Sequence, residues 1–264
     1  MAQLPARDVP LTAWGLFRHL RRQPTPITYS EWGIACASTP LIASLDEARS
    51  ERLRALSAHF LHEKTITSVA GLALDDQQRL QLAALCCLPL LEFGEAGLRG
   101  WSQLIVYPEA FRVDRSHVDA AGVLHEWSDE LAGESWEAGP LVLSWADVLS
   151  DLEEPDAGFC LPVHEMAHKL DALDGAMDGT PPLPRAWQRQ WAHDFQHAYD
   201  AFCERVDHGD ESAMDPYASE APEEFFAVTS EYHFSAPHVL RQEMPEVAAH
   251  LERFYGPSPF AHNT

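Results

Sequence analysis

The chain has 264 residues, of which 46% are hydrophobic and eight are Trp, enough to bury a sizeable core. Its formal charge of −23 at pH 7 disfavours direct contact with nucleic acid or an anionic membrane, since both attract faces rich in Lys and Arg. No apolar run approaches about 18 residues, and Arg18, Arg21 and Arg22 interrupt the N-terminal one, so we expect no membrane span, no signal peptide and a cytoplasmic location.

The first part of the chain predicts an arm followed by helices. Residues 1–40 form the predicted N-terminal arm, of which residues 1–30 are rich in Pro and Arg and predict a loose chain, with at most a short helix over Leu11–Leu20. We expect a helical N-terminal lobe over residues 41–100, because apolar residues recur at helical spacing in two segments, Leu45–Leu61 and Gln77–Leu91.

The remaining residues, 101–264, mix strands and helices. Two β-prone runs bounded by turn residues are Gln103–Tyr107 and Leu141–Trp145, and a further strand is predicted near Gly122–Glu126. The run Leu141–Trp145 fits either an edge strand that pairs with an extended substrate or an ordinary core strand. Helices are predicted around Phe159–Leu173, around Trp187–Glu204 and from about Pro222 to Phe234. Since strands precede helices without regular alternation, we expect an α+β fold in which residues 101–264 form one compact unit with residues 41–100.

The pattern of cysteines in the sequence indicates neither a metal site nor disulfide bonds. They are odd in number and show no paired C-x-x-C spacing, which predicts reduced, mostly buried thiols at Cys36, Cys86, Cys87, Cys160 and Cys203.

The segment His164-Glu165-Met166-Ala167-His168 carries the strongest chemical signal. Histidines at i and i+4 lie on one face of a helix, so both imidazoles can reach one ion at about 2.0–2.1 Å. The glutamate beside the first histidine can then address a water molecule at that ion. Apolar residues give the helix a buried stripe, which favours a zinc hydrolase over the alternative of three polar residues on a solvated face.

A second histidine pair has the same spacing. His193 and His197, with Asp194 between them, share a helix face with charged residues, while the aromatic stripe of that helix lies opposite. This arrangement predicts a solvated face rather than a metal site. The His62-Glu63 pair has no histidine at the required offset and is also interpreted as surface.

A site with two histidines needs another protein ligand and one open position for water. Asp171 is too close to both histidines on the same helix to complete a tetrahedron, so it either orients a histidine N–H or is solvated. The better candidates are Glu223 and Glu224, which follow Pro222 at the start of a predicted helix. Spacing alone does not distinguish between these two glutamates.

Several segments resemble the Mlc titration factor A family of zinc metallopeptidases, which is similar to the catalytic domain of anthrax lethal factor. The resemblance covers the chain from about Leu45 and leaves the first 40 residues unmatched. It rests on four segments, Gly139–Trp145, His164–Asp171, Asp215–Ala218 and Glu224–Val228, the last followed by Ser230-Glu231-Tyr232, with weaker matches at Cys87–Leu91 and Val106–Pro108.

This resemblance implies a zincin-like catalytic domain over residues 101–264. It places the third zinc ligand at Glu224, beside His164 and His168, with one Zn²⁺ per chain. Glu165 is then the general base and Tyr217 the donor to the oxyanion. Glu231 either supports a ligand or is a surface residue.

The resemblance also implies a peptide or protein substrate, aminopeptidase activity and association with the glucose repressor Mlc. The alternative is a non-catalytic protein that titrates the repressor and has a structural zinc site. The polar segment Asp207–Ser219 is a candidate lid over the site or a plain connector.

Overall fold

The structure is a computed structural model that describes residues 23–118, 124–131, 133–135 and 139–261, with the backbone alone described between residues 111 and 135. Within these ranges the chain starts with helices α1 (Tyr29–Ala37), α2 (Pro40–Ala43) and α3 (Glu47–Glu63). Helix α1 lies within residues 1–40, the predicted N-terminal arm, and follows the segment 1–30 that was predicted to be loose; a capping box between Thr28 and Glu31 begins it. The helix predicted over Leu11–Leu20 lies outside the described residues.

Helix α4 (Asp76–Cys87) packs against α3 and confirms the second predicted helix of this part. A capping box between Asp75 and Gln78 begins it. The predicted helix ran to Leu91, but the chain tightens into a 3-10 turn at Leu88–Leu90 because Pro89 cannot donate to an α-helical ladder. A second 3-10 turn follows at Gly94–Leu98.

A four-stranded sheet has the order β1-β2-β6-β5. Strands β1 (Thr65–Ser68), β2 (Gln103–Tyr107) and β6 (Leu141–Ser144) are parallel, and the edge strand β5 (Gly133–Ser135) is antiparallel to β6. Thr65 lies opposite Gln103, and Leu104 lies opposite Leu141. Strand β6 is paired on both sides and buried throughout, so the core-strand interpretation of this run holds and the edge-strand one is wrong.

A separate hairpin lies between β2 and β5 in the chain. Its strands β3 (Phe111–Val118) and β4 (Leu124–Leu131) are antiparallel, with Phe111 opposite Leu131. The strand predicted near Gly122–Glu126 overlaps the start of β4, and its first two residues lie outside the described ranges. Strand β3 was not predicted.

Helices fill the C-terminal part. Their bounds are α5 (Trp145–Glu153), α6 (Leu161–Asp171), α7 (Arg185–His208), α8 (Pro222–Ser235), α9 (Pro237–Glu243) and α10 (Pro245–Tyr255). The three helices predicted here correspond to α6, α7 and α8, whereas α5, α9 and α10 were not predicted.

Buried hydrophobic residues form one cluster that extends from Ile27 to Phe260. Helices α6 and α8 lie inside it and pack against each other. The aromatic stripe of α7 covers α8 through Trp191 and Phe195, whose rings stack at 4.2 Å and contact Phe226. The fold is helix-rich with a small, mostly parallel sheet, which is compatible with α+β. In the described part of the chain no helix is long and apolar enough to cross a membrane.

Candidate metal centre

Helix α6 places His164 and His168 side by side. Their Nε2 atoms are 3.2 Å apart and both side chains are buried. The start of this helix is held by neighbouring carboxylates rather than by its own cap: Cys160 N donates to Glu231 Oε2 at 2.6 Å, and Leu161 N donates to Asp151 Oδ2 at 2.7 Å. These contacts satisfy N–H groups that a helix leaves free in its first turn.

Helix α8 brings a carboxylate to the same point. Glu224 Oε2 lies 3.1 Å from His164 Nε2 and 3.3 Å from His168 Nε2. Among the residues that the structure describes, His164, His168 and Glu224 are the group that could hold a metal ion. Glu223 is not part of the group, so the geometry separates the two glutamates that spacing left equivalent.

The three donor atoms fit one tetrahedral ion. Ligand atoms bonded to zinc at about 2.0–2.1 Å in a tetrahedron lie about 3.3 Å from one another. The observed separations of 3.1, 3.2 and 3.3 Å match that spacing. Two histidine nitrogens and one carboxylate oxygen are also the donor set of many catalytic zinc sites, and they leave a fourth position open.

Glu231 fixes which nitrogen of His164 faces the centre. Its Oε1 lies 2.7 Å from His164 Nδ1, and a carboxylate can only accept, so Nδ1 donates. In the neutral ring, Nε2 is then left with a lone pair directed at the other two donor atoms. Burial lowers the pKa of His164, but the carboxylates of Glu231 and Glu224 outweigh burial and raise it well above its usual value. The environment therefore favours positive charge at this point, which a metal ion can supply.

The pKa values of Glu224 and Glu165 shift in opposite directions in this environment. Burial would raise the pKa of Glu224, yet hydrogen bonds with His164 and His168 lower it well below its usual range. Burial raises the pKa of Glu165 to about 8. The Glu165 side chain is 3% exposed, and its Oε2 has no hydrogen-bond partner among the described residues. A buried, unpaired carboxylate oxygen beside the two histidines is available to a substrate or a water molecule.

Tyr217 lies at the open side of the centre. It belongs to a 3-10 turn at Pro216–Ser219, is 44% exposed, and has its ring centroid 6.1 Å from that of His164. Burial of the hydroxyl and the nearby carboxylates of Glu224 and Glu165 raise the pKa of Tyr217, which keeps the phenol protonated. The phenol is thus a hydrogen-bond donor that a ligand can reach.

Two acids that sequence reasoning left ambiguous are both buried. Glu231 contacts a histidine of the group and is not a surface residue. Asp171 is fully buried and accepts from Gly179 N at 2.8 Å, so the solvated interpretation is wrong. In the described part of the chain, Asp171 Oδ1 and His168 Nδ1 have no hydrogen-bond partner.

Asp151 is a supporting residue that the sequence did not reveal. It lies on α5, which was not predicted, and it contacts α6 through the backbone of Leu161. Burial raises the pKa of Asp151 to about 7. Asp151 lies in the acidic run Ser-Asp-Leu-Glu-Glu, and composition alone does not show which acid of such a run is buried.

In the described part of the chain, the other two candidate pairs, His193 with His197 and His62 with Glu63, do not form a group that could hold a metal ion. His193 and His197 are exposed, and Asp194 is engaged by His193 at 3.1 Å and by His250 at 2.8 Å. His62 and Glu63 are exposed as well. The five cysteines are free, as the sequence predicted.

Comparison with known proteins identifies the family. A model of the family described as glucose-regulated metallo-peptidase M90 matches residues 13–256. Mlc titration factor A of Serratia proteamaculans (strain 568) is 38% identical over 242 residues, which cover 90% of this chain and 91% of that protein. The proteins of the same name from Yersinia enterocolitica (serotype O:8 / biotype 1B) and Yersinia pestis (strain Pestoides F) are 36% and 37% identical, again over 90% of this chain and over 90% and 88% of their own length.

The family match begins at residue 13, within the first 40 residues that the sequence resemblance left unmatched. The agreement over nine-tenths of both chains, together with a group of two histidines and a glutamate that could bind a metal, leads to one conclusion. This chain belongs to the glucose-regulated metallopeptidase M90 family.

Proposed function

We propose that the chain is a zinc-dependent peptidase in which His164, His168 and Glu224 hold one Zn²⁺. The observation that carries this proposal is the mutual separation of the three donor atoms, 3.1–3.3 Å, on two buried helices. Zinc fits the donor set because it accepts nitrogen and oxygen ligands in a tetrahedron and leaves one position for water or substrate.

Bound zinc would polarise a peptide carbonyl and lower the pKa of a water molecule. Glu165 takes a proton from the attacking water and later delivers it to the leaving amine. Tyr217 donates a hydrogen bond to the oxygen that becomes negative in the tetrahedral intermediate, for which its exposed phenol is available. Glu231 holds the His164 ring through Nδ1.

The substrate we propose is a peptide or protein, cleaved by aminopeptidase-type chemistry in a zincin-like domain related to the lethal factor catalytic domain. Helix α6 packs on the sheet beside the antiparallel edge strand β5, which supports such an arrangement. An extended peptide could pair with the outer edge of β5, which has no strand partner among the residues that the structure describes.

The first test is the metal content of purified wild type, His164→Ala and His193→Ala. We expect about one zinc per chain in wild type and in His193→Ala, whose histidine is exposed, and little in His164→Ala. Equal zinc in all three proteins would contradict the site. Glu165→Gln should keep its zinc and lose hydrolysis of a peptide substrate, and retained turnover in this variant would exclude Glu165 as the general base.

A second candidate function is titration of an Mlc-type repressor in the cytoplasm, which the names of the relatives support. The two functions are compatible, but a pure titration factor has no need of Glu165. Binding of a purified Mlc-type repressor to wild type and to Glu165→Gln separates them. Equal binding by both proteins, with no hydrolysis by wild type, would favour a non-catalytic protein with a structural zinc site.

A further inference from the structure

The position of Tyr217 depends on the backbone that carries it. Its ring lies 6.1 Å from that of His164 and its hydroxyl interacts with Glu224, but the side chain is 44% exposed, so the backbone that carries it also fixes where the ring lies. Tyr217 lies in the segment 213–219, which we call the Tyr217 segment. Asp215 Oδ1 accepts from Tyr217 N at 3.0 Å, and Met214 and Ala218 are buried. What anchors the two ends of this segment therefore decides where the phenol lies.

At the first end, Tyr232 of α8 holds the segment. Its hydroxyl donates to Ala213 O at 3.2 Å, and the side chain is 3% exposed. The phenol is confined from the other side by Gly158, where an added Cβ would lie 2.5 Å from Tyr232 Cζ. Gly158 has φ +97°, a conformation that glycine adopts freely, and it lies in the loop just before the metal helix α6 (Leu161–Asp171). The Tyr232 phenol thus lies between the loop that leads into α6 and the Tyr217 segment.

At the second end, Tyr199 of α7 holds the segment. Its hydroxyl donates to Ser219 O at 3.2 Å. The ring packs edge-on against Phe225, with centroids 5.5 Å apart, and Phe225 directly follows Glu224. The segment that was a candidate lid is therefore tied at Ala213 and Ser219 to the helices around the metal centre.

From these contacts we propose that Tyr199 and Tyr232 are positioning residues, whose hydroxyls hold the Tyr217 segment so that the Tyr217 phenol faces the metal centre. An effect of these hydroxyls on kcat rests on the function proposed for Tyr217. Their effect on the position of the Tyr217 segment does not. Helix α8 carries Glu224, Glu231 and Tyr232, so a single helix would set the position of a metal ligand and of the oxyanion donor. Displacement of a reacting group by about 1 Å can cost about 10²-fold in rate, so two such anchors have a functional effect.

The structural test measures amide hydrogen exchange of peptides that cover the Tyr217 segment, in metal-free protein. Tyr199→Phe and Tyr232→Phe keep the ring and lose the anchoring hydroxyl, so exchange should become about threefold to tenfold faster, as the loss of one hydrogen bond implies. Tyr255→Phe is the matched control, because it removes a buried hydroxyl that contacts Ser230 at 3.0 Å and lies outside this segment. Wild-type exchange in both Tyr199→Phe and Tyr232→Phe would overturn the proposal.

The kinetic test is a double-mutant cycle between Tyr232→Phe and Tyr217→Phe in zinc-loaded protein. Alone, Tyr232→Phe should lower kcat about tenfold with KM within about twofold and zinc content unchanged. In the Tyr217→Phe background it should have no further effect on kcat, because the group that it positions is gone. An undiminished drop in that background would show that Tyr232 does not act through Tyr217.

The two tests also separate this inference from the proposed function. Absence of hydrolysis in wild type would refute the peptidase, while the exchange measurement would still decide whether the two hydroxyls hold the segment.

Discussion

Glu231 uses both of its carboxylate oxygens at the metal centre. One accepts from His164 Nδ1 at 2.7 Å and the other from Cys160 N at 2.6 Å. It therefore fixes the tautomer of a histidine of the group and the start of the helix that carries it. Carboxylates that support a ligand in this way commonly contribute about 10–100-fold to metal affinity.

We expect Glu231→Gln to weaken zinc retention by about 10–100-fold, because the amide must present its NH₂ group to one of two N–H donors. A chelator competition titration measures the affinity. Glu252→Gln, which replaces an exposed glutamate on α10, is the control and should bind zinc like wild type. Unchanged affinity in Glu231→Gln would show that this contact does not support the metal.

At the scale of elements, the metal helix α6 has no cap of its own at Cys160 and depends on Asp151 of α5. Burial raises the pKa of Asp151 to about 7, although the Leu161 N–H group lowers it. Between its ordinary value near 4 and this raised value, the folded protein binds the proton that the unfolded chain has lost. The stability contributed by this group therefore falls as pH rises through that window.

We expect metal-free wild type to lose stability relative to Asp151→Asn between pH 5 and pH 7, by about 1–3 kcal/mol, since the slope is at most about 1.4 kcal/mol per pH unit. Asparagine keeps an oxygen for Leu161 N but does not titrate. Urea unfolding at pH 5, 6 and 7 measures the difference, with exposed Asp156→Asn as the control for removal of a charge. A difference that does not depend on pH would contradict this assignment.

The loop between α6 and α7 contacts both helices of the metal centre, α6 and α8. Asp171, at the end of α6, accepts from Gly179 N, and a Cβ at Gly179 would lie 2.3 Å from Pro222 O at the start of α8. Gly179 has φ +79°. The spacing between α6 and α8 therefore requires a residue without a side chain at this position.

Gly179→Ala should lower stability by more than the roughly 1–3 kcal/mol expected from backbone strain alone, and it should weaken zinc retention because the start of α8 must shift. Gly175→Ala is the matched control: Gly175 has φ +93°, but an added Cβ there meets nothing within 4 Å. Urea unfolding and zinc competition on both variants measure the difference. Equal effects would show that contact with Pro222 has no influence on the centre.

At the scale of the whole molecule, the group that could bind a metal joins helices that are distant in the chain. His164 and Glu224 are 60 residues apart, and the unfolded chain does not hold them together. An ion that binds the folded state alone stabilises it in proportion to the logarithm of its concentration.

Zinc at about 100 times its Kd should therefore stabilise wild type by about 2.7 kcal/mol and raise Tm by about 5–10 °C. His164→Ala should show little of this shift. Thermal unfolding of metal-free protein, with and without added zinc, measures it. The same shift in His164→Ala would mean that zinc stabilises the protein from elsewhere.

The sequence by itself determined those features of the fold and of the candidate site that depend on local periodicity. The spacing of His164 and His168 places two imidazoles on one helix face in any α-helix, and the apolar stripe beside them predicted that the helix is buried. The aromatic stripe of α7 likewise predicted which face packs and, correctly, that His193 and His197 are solvated. The central residues of the helices α6, α7 and α8 were located within a few residues.

Only the tertiary structure decided which distant residues meet. Glu223 and Glu224 are adjacent, and the packing of α8 on α6 brings Glu224 to the histidines, the choice that the family resemblance implied and spacing could not make. Glu231 reaches Cys160, and Gly179 lies against Pro222, from distant parts of the chain, so no local pattern encodes these contacts. Asp151 reaches Leu161 from a helix that the sequence did not predict. The short strand β1 and the position of β6 inside the sheet were not evident for the same reason, since strand pairing is set by partners elsewhere in the chain.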